Sequence, residues 1–208
     1  MVILTQDPSF NALAFSVYDG KDTVYIDNCS YSLGSSVGFE KVFRGCEDLW
    51  LQYENKLNSL KEKGIVVEKI FSEIPPPTIS YSAGLYALDT YMLDKLSNFY
   101  GLKNDVYIIP SSYLSTVHGT NKYKKGDSTH LAKYFMEEVL KDDFKFVIPD
   151  NKSAGGRVLK GRMNNDRAES FLFMLRAFVK YDIKGYADKI VSEMSGFGYE
   201  AERLLREV

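Results

Sequence analysis

The chain has 208 residues, 45% of them apolar and 26% charged, and a net charge of -2. That is enough apolar material for the core of one ordinary domain, and it excludes a protein that is basic all over. Any nucleic-acid surface must be a local concentration of cations. Cys29 and Cys46 are too few for a cysteine-ligated zinc site and do not form a CxxC pair. They read as reduced thiols of an intracellular protein. No basic and then apolar leader opens the chain, and no run approaches the roughly 20 apolar residues of a membrane span. A soluble, cytoplasmic protein is expected.

In chain order, Ile3 to Gln6 predicts a buried strand ending on Asp7, before the turn residues Pro8-Ser9-Phe10-Asn11. Leu13 to Val17 predicts its hairpin partner, and Thr23 to Asn28 a third antiparallel strand after the Asp19-Gly20 turn. Ser30 to Ser36 is loop chemistry. Phe39, Val42, Phe43, Leu49, Leu51, Tyr53, Leu57 and Leu60 predict a long helix over Gly38 to Lys63, closed by Gly64. Val66 to Glu73 predicts a strand parallel to the first, because a helix joins them. Pro75-Pro76-Pro77 cannot donate to a ladder, so Glu73 stands where the chain leaves the sheet.

A helix over Ser82 to Tyr100 and a short strand over Val106 to Ile109 follow. Next come a short helix within Ser111 to Gly119, an amphipathic helix over Ser128 to Leu140, and a brief extended stretch from Phe144 to Ile148. Asp150 to Met163 is a loop with glycines and cations, and Asp166 to Tyr181 a helix capped by Asn164 or Asn165. Short helices finish the chain. Three strands, then alternating helices and strands, predict an α/β domain with a mixed sheet.

Asp7 and Glu73 end neighbouring strands, where open α/β sheets form their sites. Asp166 and Glu169 stand three apart and share one helix face. Alone, that pair does no more than complement the helix dipole. Converging with the other two, it would make a cluster that persists only when cations neutralise it. Hard oxygen donors select Mg²⁺ or Mn²⁺.

Asp7-Pro8-Ser9 after an apolar strand, Glu73 before prolines, and Asn165-Asp166-Arg167-Ala168-Glu169 opening a late helix form an ordered set. Over about residues 1 to 180 it resembles the RuvC-like Holliday-junction resolvases, of the RNase H-like nuclease superfamily. The compact form and tail look most like phage-encoded members, which act in the host cell cytoplasm. The resemblance implies an RNase H-like mixed five-stranded sheet flanked by helices over residues 1–182, and a helical extension over 183–208. It implies that Asp7, Glu73, Asp166 and Glu169 hold two Mg²⁺ ions per site, with Mn²⁺ a possible substitute. The activity implied is resolution of four-way DNA junctions in recombination and repair, by two-metal phosphodiester hydrolysis that leaves a 5′-phosphate and a 3′-hydroxyl. The family acts as homodimers, and the apolar helix Ser82 to Tyr100 is the candidate interface.

The family also uses a catalytic lysine; Lys124 or Lys125 is the nearest match, with Lys125 carried as the candidate. Lys122, Lys124 and Lys125, interleaved with Tyr113 and Tyr123, and Lys152, Arg157, Lys160 and Arg162 before the late helix are candidate DNA contacts. As bare composition they are solvated loops. His118 and His130 fall in no motif and read as surface or helix-face residues. Tyr81 or Tyr86 could stack on an opened base, core packing being the expected use of Tyr86.

Several positions depart from the family pattern. Ser9 stands where a glycine is common, Leu13-Ala14 where a Thr-Gly pair is frequent, and Glu169 where the last acid is usually Asp. Pro75 to Pro77 occupy the place of an aromatic wedge, so junction opening and cleavage preference are expected to differ. Two other classes fit part of the pattern: a ribonuclease H-like or broader branched-DNA nuclease, and a non-catalytic DNA-binding recombination accessory protein. An actin-like phosphotransferase would want a Gly-rich phosphate loop that Asp7-Pro8-Ser9-Phe10 does not supply.

Overall fold

A computed structural model describes residues 1–9, 12–30, 39–74, 80–102, 104–110, 127–150, 157–158 and 160–196. Six strands form one sheet: β1 (Ile3–Ser9), β2 (Ala12–Tyr18), β3 (Thr23–Ser30), β4 (Lys69–Ile74), β5 (Val106–Pro110) and β6 (Lys145–Val147). Their order is β5-β4-β1-β2-β3-β6. β1, β2 and β3 are an antiparallel meander, β4 lies parallel to β1, β5 to β4, and β6 to β3. The helices are α1 (Phe39–Glu62), α2 (Ser80–Tyr100), α3 (Asp127–Tyr134), α4 (Asn165–Lys180) and α5 (Ala187–Gly196).

Strand side chains alternate between faces, and the two faces bury two different cores. Ile3, Val24, Ile26 and Phe71 pack into a cluster with Phe171 and Phe178 of α4, Leu131 of α3 and Ile190 of α5. Leu4, Leu13, Phe15, Val17 and Ile70 pack against Tyr53 and Leu57 of α1 and Met92 and Leu96 of α2. The sheet is thus the middle of three layers. α4 lies between the sheet and the outer helices α3 and α5, which is why its residues from Arg167 to Val179 are buried apart from Glu169. No helix among the described residues is long and apolar enough to cross a membrane.

Several expectations hold in detail. Gly64 sits at φ +79 after α1, with Ile65 N–H bonded to Leu60 O at 3.0 Å, a helix stop that needs a left-handed residue. Asn164 is the cap of α4: its side chain accepts from Arg167 N at 3.0 Å. His130 is exposed on α3.

Other expectations need correction. The sheet has six strands rather than five, because the extended stretch after Phe144 pairs with β3 through Thr23–Lys145, Val24–Phe146 and Tyr25–Val147. β1 does not end at Asp7; it continues with β2 through Pro8–Leu13 and Ser9–Ala12. The helix over Ser128 to Leu140 changes pitch after Tyr134: Phe135–Val139 is a π-turn, with Leu140 N–H reaching Phe135 O at 2.9 Å. The wider turn keeps Phe135 and Val139 both in the core. Tyr86 is 38% exposed rather than packed in the core. The short helix expected within Ser111 to Gly119 lies outside the described residues.

Candidate functional site

The register of β1 and β4 builds the site. The parallel pair runs Ile3–Lys69, Leu4–Ile70, Thr5–Phe71 and Gln6–Ser72, and stops there. Gln6 and Ser72 point to the α1/α2 face, where Gln6 Nε2 donates to Ser72 Oγ at 2.9 Å and Tyr53 OH donates to Gln6 Oε1 at 3.2 Å. One residue on, Asp7 and Glu73 turn to the opposite face, toward α4. Asp7 is therefore not at a strand end but at a fork: β1 stays with β2 while its pairing with β4 ends. Pro8 has no N–H to carry that ladder further.

α4 is set over this fork by polar contacts. Thr5 Oγ1 donates to Ser170 O at 2.6 Å, and the hydroxyls of Ser16 and Ser170 meet at 3.0 Å. Asp166 and Glu169 occupy the turn just before Ser170. Asn165 Nδ2 donates to Glu169 Oε1 at 2.7 Å, and Ser128 Oγ of α3 approaches the same oxygen at 3.4 Å.

The electrostatics make these four residues one cluster. Loss of hydration pushes Asp7 well above the usual carboxylate range, and the charges of Glu73, Glu169 and Asp166 push it the same way. A hydrogen bond between the Asp7 and Glu73 carboxyls, which needs one proton between them, raises Asp7 further and opposes the rise of Glu73. Burial raises Glu73 to about 7, the bond from Asp7 opposes that, and the charge of Glu169 adds to it. Among the described residues, no cation offsets the shifts of Asp7 and Glu73.

Three further residues belong to the surroundings and carry no expectation from sequence. Asp89 on α2 is 1% exposed, its Oδ1 has no hydrogen-bond partner among the described residues, and burial followed by the charge of Glu73 raises it to about 9. A signal was present: Asp89 falls in the stripe of Leu88, Met92 and Leu96 at helical spacing, so the apolar face of α2 carries an acid. Arg167, between Asp166 and Glu169, is fully buried and bonded to Asp27 of β3. Asp27 also binds Lys56 of α1.

The donor set is all oxygen, and Asn165 Oδ1 adds a buried oxygen that has no hydrogen-bond partner among the described residues. This chemistry suits a hard divalent cation. Among the described residues, no three acidic, Cys or His side chains already stand close enough to enclose one. Closing around an ion would require carboxylate rotation and loss of the proton shared by Asp7 and Glu73.

Of the candidate DNA-binding residues, Arg157, Lys160 and Arg162 are exposed. Lys122, Lys124, Lys125 and Lys152 lie outside the described residues, as do Tyr113, Tyr123 and His118. Cys29 and Cys46 are free thiols, the first buried. Searches against protein-family models and curated proteins return no match for this chain.

Proposed function

We infer that the protein is a divalent-metal-dependent endonuclease of the RNase H-like type, acting on branched DNA and above all on four-way junctions. The observation that supports this is the electrostatic interaction of Asp7, beside the fork between β1 and β4, with Glu73, Glu169 and Asp166. A cluster of mutually repelling carboxyls raises its own proton affinity and has no evident structural use. The element order of the sheet and the residues of the ordered set resembling the junction resolvases add to it.

Asp7, Glu73, Asp166 and Glu169 would hold Mg²⁺ or Mn²⁺. When bound, such ions activate water and offset the charge of a phosphodiester transition state. Asp7 and Glu73 would give up their shared proton on binding. Asn165 and Ser128 fix one oxygen of Glu169. Exposed Arg157, Lys160 and Arg162 precede α4 and would hold phosphates near its first turn. Lys125 would serve as the catalytic lysine and a homodimer would supply two cuts; both rest on the resemblance.

The test is cleavage of an immobile four-way junction, a linear duplex and an RNA–DNA hybrid in Mg²⁺, with wild type and Asp7→Asn. Paired nicks in the junction alone, lost at least about 10³-fold in the variant while binding persists, are expected for a metal-ligand change. Cutting of the hybrid alone would move the activity to a ribonuclease H. An uncut but tightly bound junction would make the protein an accessory binder.

A further inference from the structure

Arg167 is 0% exposed although it sits between two half-buried candidate ligands in the chain. Its guanidinium makes three bonds: Nη2 to Asp27 Oδ1 at 3.2 Å, Nη2 to Pro149 O at 2.9 Å, and Nη1 to Arg162 O at 2.9 Å. Its own N–H is held by the Asn164 cap. The two carbonyls belong to the two ends of the segment that carries Lys152, Arg157 and Lys160. These ends run close together: a Cβ on Gly161 would lie 2.9 Å from Ile148 O. Asp27, in turn, links Arg167 of α4 on one face of the sheet to Lys56 of α1 on the other.

An ion pair with Asp27 alone would balance the charge. The two carbonyl bonds do something more: they tie the first turn of α4 to the neck of the basic segment, while the Asp27 bond ties it to β3. A planar fork can satisfy three acceptors in fixed directions, whereas an ammonium cannot hold them in one geometry. We propose that Arg167 is a positioning residue that presents Asp166 and Glu169 to Asp7 and Glu73, locking the first turn of α4 against β3 and both ends of the 150–161 segment. This rests on the inference that the four acids form a metal site.

The experiment compares full-length wild type, Arg167→Lys, Asp27→Asn and, as a remote control, Tyr186→Phe, which loses the bond to Asp143. Mn²⁺ affinity is read by electron paramagnetic resonance, and amide hydrogen exchange by NMR at Arg167 and Ala168, whose N–H groups bond to Asn164. Arg167→Lys keeps the charge but is expected to weaken Mn²⁺ binding about tenfold, the usual scale for a residue that orients a ligand. Exchange at the two amides should rise about as much, because local opening there loses its anchor. Asp27→Asn leaves both carbonyl bonds in place and should lose less than Arg167→Lys on both readouts. Equal behaviour of Arg167→Lys and wild type, or equal losses in Tyr186→Phe, would overturn the proposal. If wild type binds no Mn²⁺, the metal site fails on its own. Exchange then decides: a rise confined to the first turn of α4 supports the positioning role, and no rise overturns it.

Discussion

A carboxyl moved out of water must replace its hydration with hydrogen bonds, and Asp89 leaves one oxygen without any among the described residues. Its folded pKa, raised to about 9, lies above the unfolded value, so the native state binds the proton more tightly. Stability from this group is therefore present at low pH and lost as pH climbs from the ordinary carboxylate range toward 9. Asp89→Asn removes the titration and should stabilise the protein at pH 7 by on the order of 4 kcal/mol, with the gain gone near pH 4. Urea melts at both pH values check this; an equal effect at both would contradict it. The same sign applies to Asp7, so Asp7→Asn should raise the metal-free melting temperature more at pH 8 than at pH 5. A site residue whose removal stabilises the fold is one kept for something other than the fold.

At the scale of elements, the apolar pattern made β1 to β5 legible as short buried runs bounded by turn residues, because cores cover both faces of the sheet. It also placed Asp7 and Glu73 on neighbouring strands. It missed that β1 runs on to Ser9, since Pro8 and Ser9 read as turn residues; pairing with β2 on one side carries them. β6 was legible as a brief extended stretch, but its three residues take their pairing from β3, so nothing local placed it in the sheet. The π-turn of Phe135–Val139 was invisible because a helical spacing count assumes one pitch throughout. Asp166 and Glu169 were legible from spacing, but the role of Arg167 was not: its acceptors are carbonyls of Pro149 and Arg162, and backbone oxygens leave no trace in sequence. The neck these carbonyls form also limits Gly161, at φ +63 with Ile148 O close by. Gly161→Ala should cost about 1–3 kcal/mol, from the left-handed backbone and the contact together. Thermal unfolding measures it, and a neutral substitution would show that the neck yields freely.

Across the whole molecule, the raised acids sit at the layer boundary: Asp7 and Glu73 face α4, while Asp89 approaches from α2. All three oppose folding as pH rises, so the metal-free protein should melt lower at pH 8 than at pH 5.5. Mg²⁺ should reverse the loss at pH 8, because a ligand of the native state stabilises it by mass action. The measurement closest to the central claim is calorimetric titration of Mn²⁺ at pH 7.5 in two buffers of different ionisation heat. Saturable binding that releases about one proton per site, the one shared by Asp7 and Glu73, is the expected result, and Asp7→Asn should abolish both binding and release. No binding by wild type, or binding undiminished in Asp7→Asn, would mean that these four acids are not a metal site.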